Sequence, residues 1–176
     1  TLTLPLHWSA RQPKTVVYDI AIGGLKGGHS GVQIHEPLAN AIVLLRQILL
    51  QGAKCGAQLL SIEGGNAHNA IPRDARARVA VRAGAAAEFE TLTAAEAAQL
   101  KSHWHGSEPA IQIGVKRLAE TELSAPLRVL SVCDTTALLK LLSALPHGVI
   151  AMSQVFAGKV ETSSNLATIA TTDSTV

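Results

Sequence analysis

His29 stands in Gly23-Gly24-Leu25-Lys26-Gly27-Gly28-His29-Ser30-Gly31, where five glycines enclose one histidine and one serine. Glycines this dense suit backbone that takes positive φ or lies close to another molecule, and they leave few neighbours able to bury an imidazole. The ring then has two readings. It caps a turn or bonds a carbonyl within the fold, or it stands exposed and donates a hydrogen bond to a substrate carbonyl or to the oxyanion that carbonyl becomes. Asn69, ahead of Ile71-Pro72, is a turn residue or an amide able to donate to a carboxylate. Glu161, Ser163 and Asn165 offer the same choice, with a solvated strand end as the alternative. His103-Trp104-His105 would set two imidazoles on one face if extended, but no third ligand lies nearby, and an exposed helix end is the simpler reading.

These residues need elements to hold them. Thr15 to Leu25 places Val16, Tyr18, Ile20 and Ile22 on one face, the period of a half-buried strand, with Pro13 marking its start. After the glycine loop, Glu36-Pro37 sets a proline in a first helical turn, and Leu38, Ile42, Leu45, Ile48 and Leu49 form an apolar stripe closed by Gly52. Ala57 to Glu63 reads as a second strand. Ala75 to Ala83 reads as a third, its Arg76, Arg78 and Arg82 on a solvated face, and Ala85 to Trp104 as a helix. Further on, Ala110 to Leu118 is a strand or a helical turn, and Pro126 interrupts Thr121 to Arg128. Asp134 to Leu145 is a helix with Asp134 as N-cap and Pro146 as its stop. Val149 to Met152 and Val160 to Val176 suit strands, with a turn at Thr172-Asp173-Ser174. Asn165 can be laid over Asn69 as a faint echo between the two halves.

Composition narrows the class. Of 176 residues 47% are apolar and 16% charged, which places the chain among folded globular proteins. A net charge of +2 with scattered basic residues names no nucleic acid or anionic membrane as partner. The arginine-bearing strand carries no aromatic residue on which a base could stack. Two cysteines, Cys55 and Cys133, make neither a disulfide framework nor a thiolate metal cluster, and point to a reducing, cytoplasmic home. No apolar run reaches the roughly 18 residues of a membrane span. The lack of an initiating Met and the abrupt end are expected of a piece of something longer.

Three blocks then carry a resemblance. Gly24 to Gly31 with Ile34-His35, Gly64-Gly65 with Asn69-Ala70-Ile71-Pro72-Arg73-Asp74-Ala75, and Pro146 to Ile150 with Val160-Glu161-Thr162-Ser163-Ser164-Asn165-Leu166 resemble the bacterial aminoacyl-histidine dipeptidases. These are carnosine-cleaving, two-metal zinc exopeptidases. The blocks keep their order from Val16 to Val176. The resemblance implies the lid, or dimerisation domain, of such an enzyme: an α+β, ferredoxin-like antiparallel sheet with helices on one face, enlarged or duplicated in this subgroup. It divides the chain into a linker from the catalytic domain (1–14), a first lid half (15–105, strand-helix-strand-strand-helix) and a second half (106–176) cut before its last strand.

His29 matches the family histidine that steadies the scissile carbonyl. A lid asparagine binds the substrate carboxylate, and because the second half has no glycine-histidine loop, Asn165 is expected in that role with Asn69 left as a turn residue. The family metal site needs a His-x-Asp pair and a Glu-Glu doublet. None of the seven histidines is followed two positions later by Asp, and no Glu-Glu pair occurs. The expectation is a lid that binds no metal and is inactive alone. Its parent would be a zinc-dependent dipeptidase, and its partners its own catalytic domain, a second lid in a homodimer and the dipeptide substrate. The alternative is a self-associating ferredoxin-like interaction domain without an active-site role.

Overall fold

A computed structural model describes residues 3, 4, 6–123 and 127–172. In chain order the elements are β1 (Trp8–Ala10), β2 (Thr15–Gly23), β3 (Gly28–His29), α1 (Ala41–Lys54), β4 (Gln58–Gly64), β5 (Ala70–Ile71) and β6 (Ala75–Arg82). They continue with α2 (Ala86–Trp104), β7 (Gln112–Arg117), β8 (Arg128–Leu130), α3 (Val132–Ala144), β9 (Gly148–Met152), β10 (Val160–Ser164) and β11 (Ile169–Ala170). The main sheet has five antiparallel strands in the order β11-β4-β6-β2-β7. Without β11, the run β2-α1-β4-β6-α2-β7 and its strand order are those of a ferredoxin-like fold. This is the α+β architecture the sequence implied.

Strand alternation decides which face is covered. Val16, Tyr18, Ile20 and Ile22 of β2 and Ala75, Ala77, Val79 and Val81 of β6 join Ile42, Leu45, Ile48 and Leu49 of α1 and Phe89 of α2 in one core. On the opposite face Arg76 and Arg78 both donate to Asp19 Oδ1, at 2.7 and 3.4 Å. That face is not wet throughout: Val17 and Ala80 are buried against Val129 of β8. β8 pairs with β1, so the segment expected to be a linker contributes a strand. β7 and β11, from beyond residue 105, lie on the two edges of the sheet whose centre comes from residues 15–105.

Several boundaries differ from the sequence reading for local reasons. α1 begins after Asn40, not at Pro37, because the Asn40 side chain accepts from the Ile42 and Val43 amides. Gly52 lies inside α1 rather than ending it. A Cβ there would stand 2.7 Å from Phe89 Cε2, so the glycine lets α1 and the buried Phe89 ring of α2 close on each other. The N-cap of α3 is Ser131, whose hydroxyl accepts from the Asp134 amide at 2.9 Å, and Asp134 sits in the first turn. Ala110 to Leu118 resolves to the strand β7. Pro126 and the turn at Asp173-Ser174 lie outside the described residues. Among the described residues no helix is long and apolar enough to cross a membrane.

Candidate functional site

The loop after β2 returns to the end of the main sheet through a two-stranded ribbon. Gly28 and His29 of β3 pair with Ile71 and Ala70 of β5, and the Ser30 amide donates to the Asn69 carbonyl at 2.9 Å. Past the ribbon the chain turns on His29: its carbonyl accepts from the Val32 and Gln33 amides, and its own amide donates to Gln33 Oε1 at 2.9 Å. The Gly31 amide donates to His29 Nδ1 at 3.1 Å. With Nδ1 an acceptor, the neutral ring carries its proton on Nε2. His29 is exposed, and no hydrogen bond among the described residues engages its Nε2.

Both asparagines adjoin Ala70, the ribbon partner of His29, Asn69 as its neighbour along the chain and Asn165 through a hydrogen bond. Asn165 Nδ2 donates to the Ala70 carbonyl at 2.7 Å, and its Oδ1 accepts from Asn40 Nδ2 at 3.3 Å. Asn69 is exposed, and among the described residues its side chain makes no hydrogen bond. The two asparagines, of which Asn165 is expected to serve the substrate and Asn69 to turn the chain, differ in how far the fold already engages them. The Asn165 amide is engaged on both atoms by the fold, whereas that of Asn69 is free beside the histidine loop. Glu161 and Ser163 are exposed on the β9–β10 hairpin, Glu161 at a register shift, and neither side chain hydrogen bonds to the His29 group. His103 lies in the last turn of α2 and His105 caps it, so the two are a helix end rather than an extended pair. Among the described residues no group of three His, Cys, Asp or Glu could hold a metal ion.

Sequence reasoning missed the residues that support the site. Asn40, 2% exposed, caps α1 with Oδ1 while its Nδ2 donates to the Leu166 carbonyl at 2.9 Å. His147 Nδ1 lies 3.4 Å from the same Nδ2. Burial, and secondarily the Arg46 charge, push the His147 pKa down, which keeps the ring neutral and able to accept. An asparagine just before an apolar helical stripe is a standard capping signal, but the proline at residue 37 drew the expected boundary away from it. Beside the ribbon, an open cleft of about 560 Å³ is lined by Gly28, Asn66, Ile71, Arg73 and Asp74 among others.

Sheet order, covering helices and the exposed histidine donor define a ferredoxin-like α+β domain with a polar site at one end of its sheet. The model of the peptidase dimerisation domain matches residues 20–108, and the chain belongs to that family. Over 160 residues it is 36% identical to the cytosol non-specific dipeptidase of Escherichia coli (strain K12), covering 90% of this chain and 32% of that protein. The crystal structure of aminoacylhistidine dipeptidase from Vibrio alginolyticus matches with a TM-score of 0.89 and 30% identity, over 98% of this chain and 34% of the other. The chain thus spans about a third of the length of these relatives.

Proposed function

We propose that the chain is the lid and dimerisation domain of a dipeptidase acting on aminoacyl-histidine dipeptides, in which His29 stabilises the reacting carbonyl. The observation that carries the proposal is the Gly31 N–H···Nδ1 bond of 3.1 Å, which leaves Nε2–H as a preorganised donor on an exposed ring. Such a donor is worth most where negative charge develops on the carbonyl oxygen, because it need not reorient as the charge forms. Asn69, exposed and next to Ala70, is the amide assigned to the substrate carboxylate, and Asn165 holds the Ala70 backbone in place. The described residues include no group that fits the zinc ions such an enzyme uses, and on this reading the catalytic domain of the parent supplies their ligands. Partners on this reading are the catalytic domain of the parent and a second lid in a homodimer, in the cytoplasm; the family match and the name of the Escherichia coli relative support it.

The test is kinetic, in the full-length enzyme. His29→Ala lowers kcat by about 10²- to 10³-fold with little change in KM, the loss typical of one oxyanion donor. Asn69→Ala raises KM more than Asn165→Ala does. A kcat within threefold of wild type for His29→Ala removes the histidine from the chemistry and leaves the self-association reading.

A further inference from the structure

Glu108 lies in the α2–β7 connection and exposes none of its surface. Its Oε2 accepts from the Lys26 amide at 2.8 Å and its Oε1 from the Ala39 amide at 3.0 Å. Among the described residues no cation pairs with it. A carboxylate withdrawn from water without a counter-ion is expensive unless its oxygens are hydrogen-bonded, and here each oxygen has one backbone donor. The two donors are the stems of the single loop that carries His29: Lys26 enters it three residues before the histidine, and Ala39 leaves it just ahead of the Asn40 cap.

Glu108 is itself held. Its amide donates to the Trp104 carbonyl at 2.7 Å, the end of α2, and its carbonyl accepts from the Ile111 amide at 3.1 Å. The adjoining segment can lie this close only because residue 24 is glycine. Gly24 has φ of 72°, and a Cβ on it would stand 2.1 Å from the Ala110 carbonyl oxygen. The loop is thus fastened at both stems to the end of a helix packed in the core, while between them it meets the fold through the ribbon and the buried Ile34.

We infer that Glu108 is a positioning residue for His29: its carboxylate clamps the Lys26 and Ala39 amides and so fixes the loop that aims the imidazole, an inference resting on the role proposed for His29 above. A donor at a developing oxyanion must be placed within a fraction of an ångström, and a misplacement of about 1 Å costs on the order of 10²-fold in rate. Glu108→Gln keeps the shape of the side chain but turns one oxygen into an NH₂ facing a backbone N–H, which releases one stem.

The experiment uses the full-length enzyme as wild type, Glu108→Gln, His29→Ala and the double variant. Two readouts apply: steady-state kinetics on an aminoacyl-histidine dipeptide and hydrogen exchange of the domain's amides by mass spectrometry. Expected for Glu108→Gln are a kcat about 10- to 100-fold lower at similar KM and faster exchange across residues 26–39, with exchange in β2 and β6 unchanged. In the His29→Ala background Glu108→Gln costs no further kcat, because the two act as a unit. Losses that multiply, unchanged exchange in the loop, or exchange rising equally through β2 and β6 each overturn the inference while leaving the role of His29 standing. If His29→Ala itself leaves kcat unchanged, the role of His29 fails and the inference falls with it.

Discussion

Replacing Asn40 by alanine removes two structural devices at once. The side-chain oxygen accepts from the Ile42 and Val43 amides at 2.9 and 3.2 Å, and loss of an N-cap of this kind costs about 1 kcal/mol. The amide nitrogen donates to the Leu166 carbonyl at 2.9 Å and to Asn165 Oδ1 at 3.3 Å from a side chain 2% exposed. Leaving such acceptors unpaired costs about 1–2 kcal/mol more. Asn40→Ala is therefore expected to destabilise by about 2–3 kcal/mol, or roughly 4–12 °C in Tm for a chain of this length. Asn40→Asp separates the two devices. It retains the capping oxygen and adds a negative charge at the helix N-terminus, which is favourable, but has no hydrogen for Leu166 and opposes its carbonyl with a carboxylate. It should recover the cap and not the clip, remaining about 1–2 kcal/mol below wild type. Urea denaturation followed by circular dichroism, with slopes compared, measures all three proteins. Asn40→Asp as stable as wild type, or Asn40→Ala costing under about 0.5 kcal/mol, would refute the clip.

Two further predictions concern the core. The Tyr18 hydroxyl donates to Glu90 Oε1 at 2.6 Å, and burial first, then that carboxylate, push its pKa up to about 12. The folded state therefore keeps a proton that the unfolded chain loses above about pH 10. Stability falls between pH 10 and 12 by an amount on the order of 2–3 kcal/mol, and a Tyr18→Phe variant showing the same alkaline slope in denaturation midpoints would contradict this. Gly52→Ala should destabilise by about 1 kcal/mol although alanine is the better helix former, because the added carbon meets the Phe89 ring. The loss should shrink in a Phe89→Leu background, and a Gly52→Ala protein that melts higher than wild type sinks the packing argument.

How far the sequence could be read follows from the range of the interactions involved. The central strands and both long helices were legible because burial imposes a period: Val16, Tyr18, Ile20 and Ile22 face the core, and Leu45, Ile48 and Leu49 make the α1 stripe. His29 was legible from its glycines, which answer a local demand on the backbone. The helix boundaries failed where a partner distant in sequence decides them. Gly52 resembles a stop until Phe89 is placed against it, and nothing in the local sequence pairs those positions. The partners of Asn165 and Glu108 lie 95 and 82 residues away, and no period records such contacts. The engagement of Asn165 by Ala70 and Asn40 was hidden for the same reason, because a single chain does not show which amide the fold has already used.

The supports of the histidine loop come from two separate parts of the chain, and that distribution has a consequence for how the domain fails. Ala70 is held by Asn165 at the exit of the β9–β10 hairpin, Asn40 by Leu166 beside it, and the loop stems by Glu108 at the end of α2. None of these bonds lies in the main sheet, whose own ladder pairs β2, β4, β6 and β7 without them. Weakening one support should then loosen the end of the sheet that carries His29 before the ladder opens, since local opening follows the weakest cooperative unit rather than the whole. Aim and stability are therefore separable quantities in this domain. Glu108→Gln is expected to disturb aim at little cost in global stability, and Asn40→Ala to lower stability through the start of α1, where cap and site share one side chain.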